Sequence, residues 1–177
     1  MVMEQQKSML ECLEDLRINN VLKLECIWQG PVHDGSLTQL TTLILTKGHE
    51  LKKIFSNGMI KQLPELQHLR VEECHQIEEI IMESENNGLE SHSLSRLKKL
   101  VLIELPKLRS IWVDDSLEWP SLRRIKISMC DMLKRLFFNN ANANKLRFIE
   151  GQQSWWGELV WEDDAIKQRL QPLCILS

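Results

Sequence analysis

A nine-residue phrase recurs along this chain and limits the folds open to it more than any other feature. Leu40-Thr-Thr-Leu43-Ile-Leu45-Thr-Lys-Gly48 follows the pattern L-x-x-L-x-L-x-x-N/C. Leu66-Gln-His-Leu69-Arg-Val71-Glu-Glu-Cys74, Leu97-Lys-Lys-Leu100-Val-Leu102-Ile-Glu-Leu105 and Leu122-Arg-Arg-Ile125-Lys-Ile127-Ser-Met-Cys130 repeat it. An earlier copy is Leu13-Glu-Asp-Leu16-Arg-Ile18-Asn-Asn-Val21, and a degenerate last one centres on Leu146 and Phe148. Between Ile18, Leu45, Val71, Leu102 and Ile127 the spacings are 27, 26, 31 and 25 residues. The long interval holds Glu83-Ser-Glu-Asn-Asn-Gly88, a polar, turn-rich insertion suited to a surface loop. Each copy is followed by a second phrase, apolar-x-x-apolar-apolar: Leu24 to Trp28, Leu51 to Phe55, Ile77 to Ile81, Leu108 to Trp112 and Leu133 to Phe137. Chance does not place five two-part copies in register.

The spacing dictates an architecture. In Leu-x-Leu, successive side chains of a strand point to opposite faces, so the aliphatic residues enter a core and those between face solvent. One copy cannot bury its apolar side alone and must stack on a neighbour. The expected fold is an α/β leucine-rich-repeat solenoid, a curved right-handed horseshoe of about five to six irregular repeats with a short parallel sheet on its concave face. Strands are expected near 14–18, 41–45, 67–71, 98–102 and 123–127, with a weaker one over 146–149. The second phrase returns along the convex side as irregular turns or short helical pieces, because Pro64, Pro106 and Pro120 interrupt long helices. Position nine, which normally satisfies backbone groups at the turn out of the strand, is Val21, Gly48, Cys74, Leu105 and Cys130. Cys74 and Cys130 thus have a buried structural role at hand.

Residues 1–150 are read as the repeats and 151–177 as a capping segment. Asn139 to Asn144 is a polar, linker-like stretch, and Trp155, Trp156 and Trp161 follow it. A short helix is expected over 162–170. Bulky aromatics suit the cover that the last repeat of a solenoid needs. Met1 to Met9 offers no matching cover, so the chain reads as the end of a longer array.

Composition excludes several classes. With 177 residues, 43% apolar and 27% charged, the chain suits one compact domain. A net charge of −3 gives no overall basic field for nucleic acid or anionic membrane. No apolar run approaches the roughly 20 residues that span a bilayer, and no secretory signal is expected at the start. Five scattered cysteines fit reduced thiols in the cytoplasm or nucleus.

Five stretches carry a resemblance. Leu69 to Ile81, Leu102 to Trp112 and Trp119-Pro-Ser-Leu-Arg-Arg-Ile-Lys-Ile127 resemble the C-terminal repeats of plant disease-resistance proteins. Trp155-Trp156-Gly-Glu-Leu-Val-Trp161-Glu-Asp, then Lys167-Gln-Arg-Leu-Gln-Pro172, is similar to their usual terminus. That family is the intracellular nucleotide-binding leucine-rich-repeat (NB-ARC-LRR) receptors, especially the coiled-coil class. The resemblance implies a cytosolic horseshoe that recognises pathogen effectors or altered host proteins and restrains a nucleotide switch domain. The phosphate loop that lets full-length relatives bind ADP or ATP has no counterpart here, so no cofactor is expected. Val32-His33-Asp34 only superficially matches the family's His-Asp motif, and the signalling coiled coil has no counterpart either. The alternative is a free-standing leucine-rich-repeat adaptor, such as the substrate-binding part of a ubiquitin ligase, although no F-box-like segment precedes the repeats.

Catalysis is not expected. Cys74 and His75 are adjacent and would point to opposite faces of a strand, which makes a poor nucleophile–base pair. No Cys or His spacing suggests zinc. The concave face is the candidate site, with His68, Arg70, Glu72, Glu73, Lys99, Val101, Ile103, Glu104, Arg124, Lys126, Ser128 and Met129 as its partner-binding residues. Lys98 and Arg123 flank a basic cluster, and Glu72, Glu73 and Glu104 form an acidic strip beside it. Such mixed charge suits a protein partner. A nucleic acid is not expected, because the strand positions offer no outward aromatic for stacking.

Overall fold

A computed structural model describes residues 10–28, 35–55, 59–81, 93–112 and 117–177. The insertion at 83–88, the His-Asp pair at 33–34, His92 and the first nine residues lie outside these. Seven strands form one sheet in chain order, every neighbouring pair parallel. They are β1 (Asp15–Asn19), β2 (Thr42–Thr46), β3 (His68–Glu72), β4 (Lys99–Ile103), β5 (Arg124–Ser128), β6 (Phe148–Gly151) and β7 (Cys174–Leu176). The first five begin one residue later than expected. β6 begins two later, because Ile149 and not Phe148 is the inward residue. No sequence pattern announced β7. Among the described residues of the repeats, helix is confined to one 3-10 turn, Ile60–Gln62. α1 (Gln153–Glu158) and α2 (Asp164–Leu170) follow β6, and Asp163 caps α2 by accepting the Ala165 N–H at 2.8 Å.

The core lies behind the sheet. The two inward positions of each central strand (Leu43 and Leu45, Leu69 and Val71, Leu100 and Leu102, Ile125 and Ile127) are at most 2% exposed. Burying an aliphatic side chain of this size contributes about 1.5–3 kcal/mol. The second phrase closes the other side: Leu51, Ile54, Phe55, Ile77, Ile80, Ile81, Leu108, Ile111 and Trp112 are all buried. Backbone bridges Cys26–Lys53 and Glu79–Ser110 show that these returns also stack in parallel. On β1, Leu16 and Ile18 are only half-buried.

The turn out of each strand is made the same way five times. Asn20, Lys47, Glu73, Glu104 and Met129 all have left-handed φ, between 52° and 58°. In the first four the N–H donates to the carbonyl of the last residue of the next strand, Thr46, Glu72, Ile103 and Ser128, at 2.9–3.0 Å. Met129 instead donates to the Gln152 side-chain carbonyl at 3.0 Å. Position nine packs beneath this turn. The Cys74 thiol donates to the Glu72 carbonyl at 3.3 Å, and the Cys130 thiol to the Ser128 carbonyl at 3.4 Å.

Segment 151–177 joins both core and sheet. Trp155 and Trp156 are buried, and the Trp155 indole donates to the Leu133 carbonyl at 3.0 Å. Gly151 occupies the inward position held elsewhere by Leu45, Val71, Leu102 and Ile127, and the Trp155 ring fills the space it leaves. β7 then pairs with β6 from Ile149–Cys174 to Gly151–Leu176. Asn139 to Asn144 is no linker. Asn142 is 4% exposed, donates to the Leu117 carbonyl and accepts the Asn139 N–H. The Asn139 side chain in turn accepts the N–H groups of Ala141 and Asn142. Asparagine stabilises turns through such local bonds, and these convert a polar run into a fixed corner. Arg169 of α2 ties down the corner by donating to the Asn139 carbonyl at 2.8 Å.

Candidate binding surface

The strand register decides which side chains share the sheet's open face, the side away from the core. One column runs Asp15, Thr42, His68, Lys99, Arg124, Phe148. The next runs Arg17, Ile44, Arg70, Val101, Lys126, Glu150, Ile175. A third runs Asn19, Thr46, Glu72, Ile103, Ser128, and the left-handed turn residues Glu73, Glu104 and Met129 flank it. The structure therefore brings eleven of the twelve expected residues onto one surface, Val101 excepted. Met129 is 53% exposed there, and His68 and Arg70 are exposed as well.

Val101 departs from expectation. Its register is that of the open face, yet it is only 4% exposed. Its lateral partners are Arg70 and Lys126, long side chains on strands less than 5 Å away, and their stems shield a short β-branched residue. Val101 is therefore part of the packed floor.

The charges partition by position along the strands. At the strand entrances Lys98, Lys99, Arg123, Arg124 and Arg147 fall on three successive strands. At the strand exits are Glu72, Glu73 and Glu104, roughly 13–20 Å away at 3.3 Å per residue. Part of this charge is already paired. Arg70 donates to Glu72 at 2.9 Å, and Lys47 lies 4.0 Å from Glu73. Glu150 of β6 sits between Arg124, at 3.3 Å, and Lys126, at 3.8 Å, so it splits the expected basic cluster. His68 has a pKa below the usual 6.5, chiefly because burial disfavours its charge and then because Lys99 and Lys98 repel a proton. It is thus mainly neutral at pH 7.

Three open-face residues escaped the sequence reading: Phe148, Glu150 and Ile175. Phe148, 39% exposed, lies under the Arg124 guanidinium at 4.9 Å, and Ile175 is 55% exposed. The expectation of no outward aromatic was wrong, since Phe148 is one. The alternation in Phe148-Ile-Glu-Gly151 could have located two of the three, had glycine been accepted in a leucine's place. Ile175 carried no such signal.

The cysteine chemistry is that of structure. Cys74 and Cys130 are at most 1% exposed and bonded to backbone carbonyls. Burial raises the Cys74 pKa and pushes that of Cys130 up to about 11, so both remain thiols. His75 is exposed while its neighbour Cys74 is enclosed, so the two do not face one another.

Residues 12–150 match the family model described as plant disease resistance protein RPS2-like, leucine-rich repeats. The chain belongs to that family. Among its relatives is a probable disease resistance protein of Arabidopsis thaliana, 30% identical over 165 residues, which are 89% of this chain and 17% of the relative. The disease resistance protein UNI of the same plant is 31% identical over 140 residues, 76% of this chain and 15% of its own length. A third Arabidopsis disease resistance protein is 25% identical over 169 residues, 93% of this chain and 16% of its own. The chain thus spans about a sixth of the length of these curated relatives. Together with the parallel sheet, these matches identify it as a leucine-rich-repeat region of the plant disease resistance protein type. Among the described residues of this disease-resistance repeat domain, no helix is long and apolar enough to cross a membrane.

Proposed function

We propose that this chain is the non-catalytic recognition region of a plant immune receptor. It senses pathogen effectors, or host proteins altered by them, and restrains a nucleotide switch domain outside these 177 residues. In this reading residues 1–150 form six repeats, and 151–177, with Trp155 and Trp156, cap them. Recognition takes place on the concave face of the sheet, in the cytoplasm or nucleus, and the ADP or ATP of the switch is held by that other domain. The observation that carries the reading is a constant backbone presenting a changing surface. The columns keep one register across the strands, yet no two strands offer the same side chains. That is how a solenoid specifies a protein partner.

The test is affinity capture from pathogen-challenged plant tissue with the immobilised chain. Lys99→Glu/Arg124→Glu/Lys126→Glu alters the open face, and Lys52→Glu/Lys53→Glu/Arg109→Glu alters exposed cations of the second phrases. A partner lost by the first variant and kept by the second is the expected result. Equal retention by both refutes recognition through the sheet.

A further inference from the structure

The strand entrances change character along the solenoid. Positions two and three of the template are Glu14 and Asp15 in the first copy, Thr41 and Thr42 in the second, and Gln67 and His68 in the third. From the fourth copy onward they are Lys98 and Lys99, Arg123 and Arg124, then Arg147 and Phe148. The backbone locks these into two stacked rows. The N–H groups of Arg123 and Arg124 both donate to the Lys98 carbonyl at 2.9–3.1 Å, and those of Arg147 and Phe148 to the Arg123 carbonyl at 2.9–3.2 Å.

Most of this positive charge has no protein counter-ion. Among the described residues, Lys99, Arg123 and Arg147 have no carboxylate within 4.0 Å, and Lys98 donates to the neutral Gln67 side chain at 2.7 Å. Arg124 alone is paired, through Glu150. Unpaired cations on adjacent strands repel one another, a cost that an acidic ligand removes by supplying carboxylates, with bidentate geometry at the arginines. The row ends on an apolar step, the exposed Phe148 followed by Ile175 on the next strand.

We propose that this row docks an extended acidic segment of the partner protein, lying across the strands, with a large apolar side chain seated on Phe148. The proposal rests on the recognition reading above and narrows the partner's chemistry. A peptide fits better than a nucleic acid for two reasons. The surface's two described rings, His68 and Phe148, are separated by Lys99 and Arg124, where strand binding uses successive stacking platforms. Glu150 also stands beside the row, against Arg124, and would repel a continuous phosphate backbone, while a peptide can place a neutral residue there.

The test is fluorescence anisotropy with a labelled octapeptide of alternating Asp and Glu that ends in Phe, using the intact chain. Binding is expected to weaken at least tenfold in Lys99→Glu/Arg123→Glu/Arg147→Glu, whose thermal melt stays unchanged because none of the three side chains has a charged partner among the described residues. Phe148→Ala is expected to abolish the preference for this peptide over one ending in Gly. No binding to the native chain, or equal binding to the triple variant, overturns the proposal. So does tighter binding of an octathymidylate, which would assign the row to nucleic acid. The two readings fail separately. If Ile103→Asp/Met129→Asp loses a tissue partner that the triple variant keeps, the acidic segment is refuted and recognition by the sheet survives.

Discussion

The contact between Gly151 and Trp155 makes a prediction whose sign reverses with the background. A Cβ added at Gly151 would meet Cε3 and Cζ3 of Trp155 at 2.8 Å and the Ile127 carbonyl at 3.2 Å. The ring cannot swing aside, because it is 3% exposed and its indole is bonded to the Leu133 carbonyl. Overpacking of this kind costs about 1–3 kcal/mol. Gly151 does not have a left-handed φ, so alanine brings no backbone strain, and it gains about 0.4–1 kcal/mol by restricting the unfolded chain. Gly151→Ala should therefore destabilise the protein by up to about 2.5 kcal/mol. Trp155→Ala alone should cost about 3–5 kcal/mol through the cavity it leaves. In that background the steric partner is gone, and Gly151→Ala should become neutral or stabilising by up to about 1 kcal/mol. Urea unfolding followed by far-ultraviolet circular dichroism, which does not depend on the deleted indole, measures all four variants at a shared slope. Additive effects in the two backgrounds would show that the ring does not fill the glycine's place.

Two further outcomes are expected. The His68 pKa, followed by NMR titration, should lie below 6.5 and rise part-way back in Lys99→Gln; because the unfolded state then binds more protons, His68 should lower stability as pH falls through 6.5. An unmoved pKa in Lys99→Gln would remove the lysine from the cause. At Glu104, with φ 52°, glycine should leave the melting temperature the same or higher, whereas valine should cost about 1–3 kcal/mol; equal melts for the two would mean the left-handed turn is not required.

The five central strands were legible because a two-residue aliphatic period has one physical meaning once it recurs in register. Residues that obtain their role from another part of the chain were not. Gly151 breaks the pattern since its inward volume is supplied by Trp155, four residues later, so the aliphatic pattern alone points to a strand two residues too early. β7 is three residues long, too short to show periodicity, and exists because β6 offers it an edge. Asn139 to Asn144 has a linker's composition but a corner's hydrogen bonds, which depend on where the Leu117 carbonyl lies. On the open face the columns were legible and the pairing was not. Glu150 belongs to the face through the register of β6, and the burial of Val101 depends on its long-chain neighbours on both flanking strands.

The left-handed turns explain why this surface can vary while the sheet stays constant. A non-glycine residue in that conformation costs on the order of 1–3 kcal/mol, and this chain accepts the cost five times in succession with Asn, Lys, Glu, Glu and Met. In the first four of these the conformation turns the backbone N–H toward the end of the next strand, where an unpaired carbonyl would cost a comparable amount. Because the bond is made by the backbone, the side chain above it is free to change. The inward positions have no such freedom, since each is packed between two neighbouring copies. Under the recognition proposed above, tolerated changes fall at strand positions three, five and seven and at the turn. Resistance falls at positions four and six, where a change disturbs three copies at once.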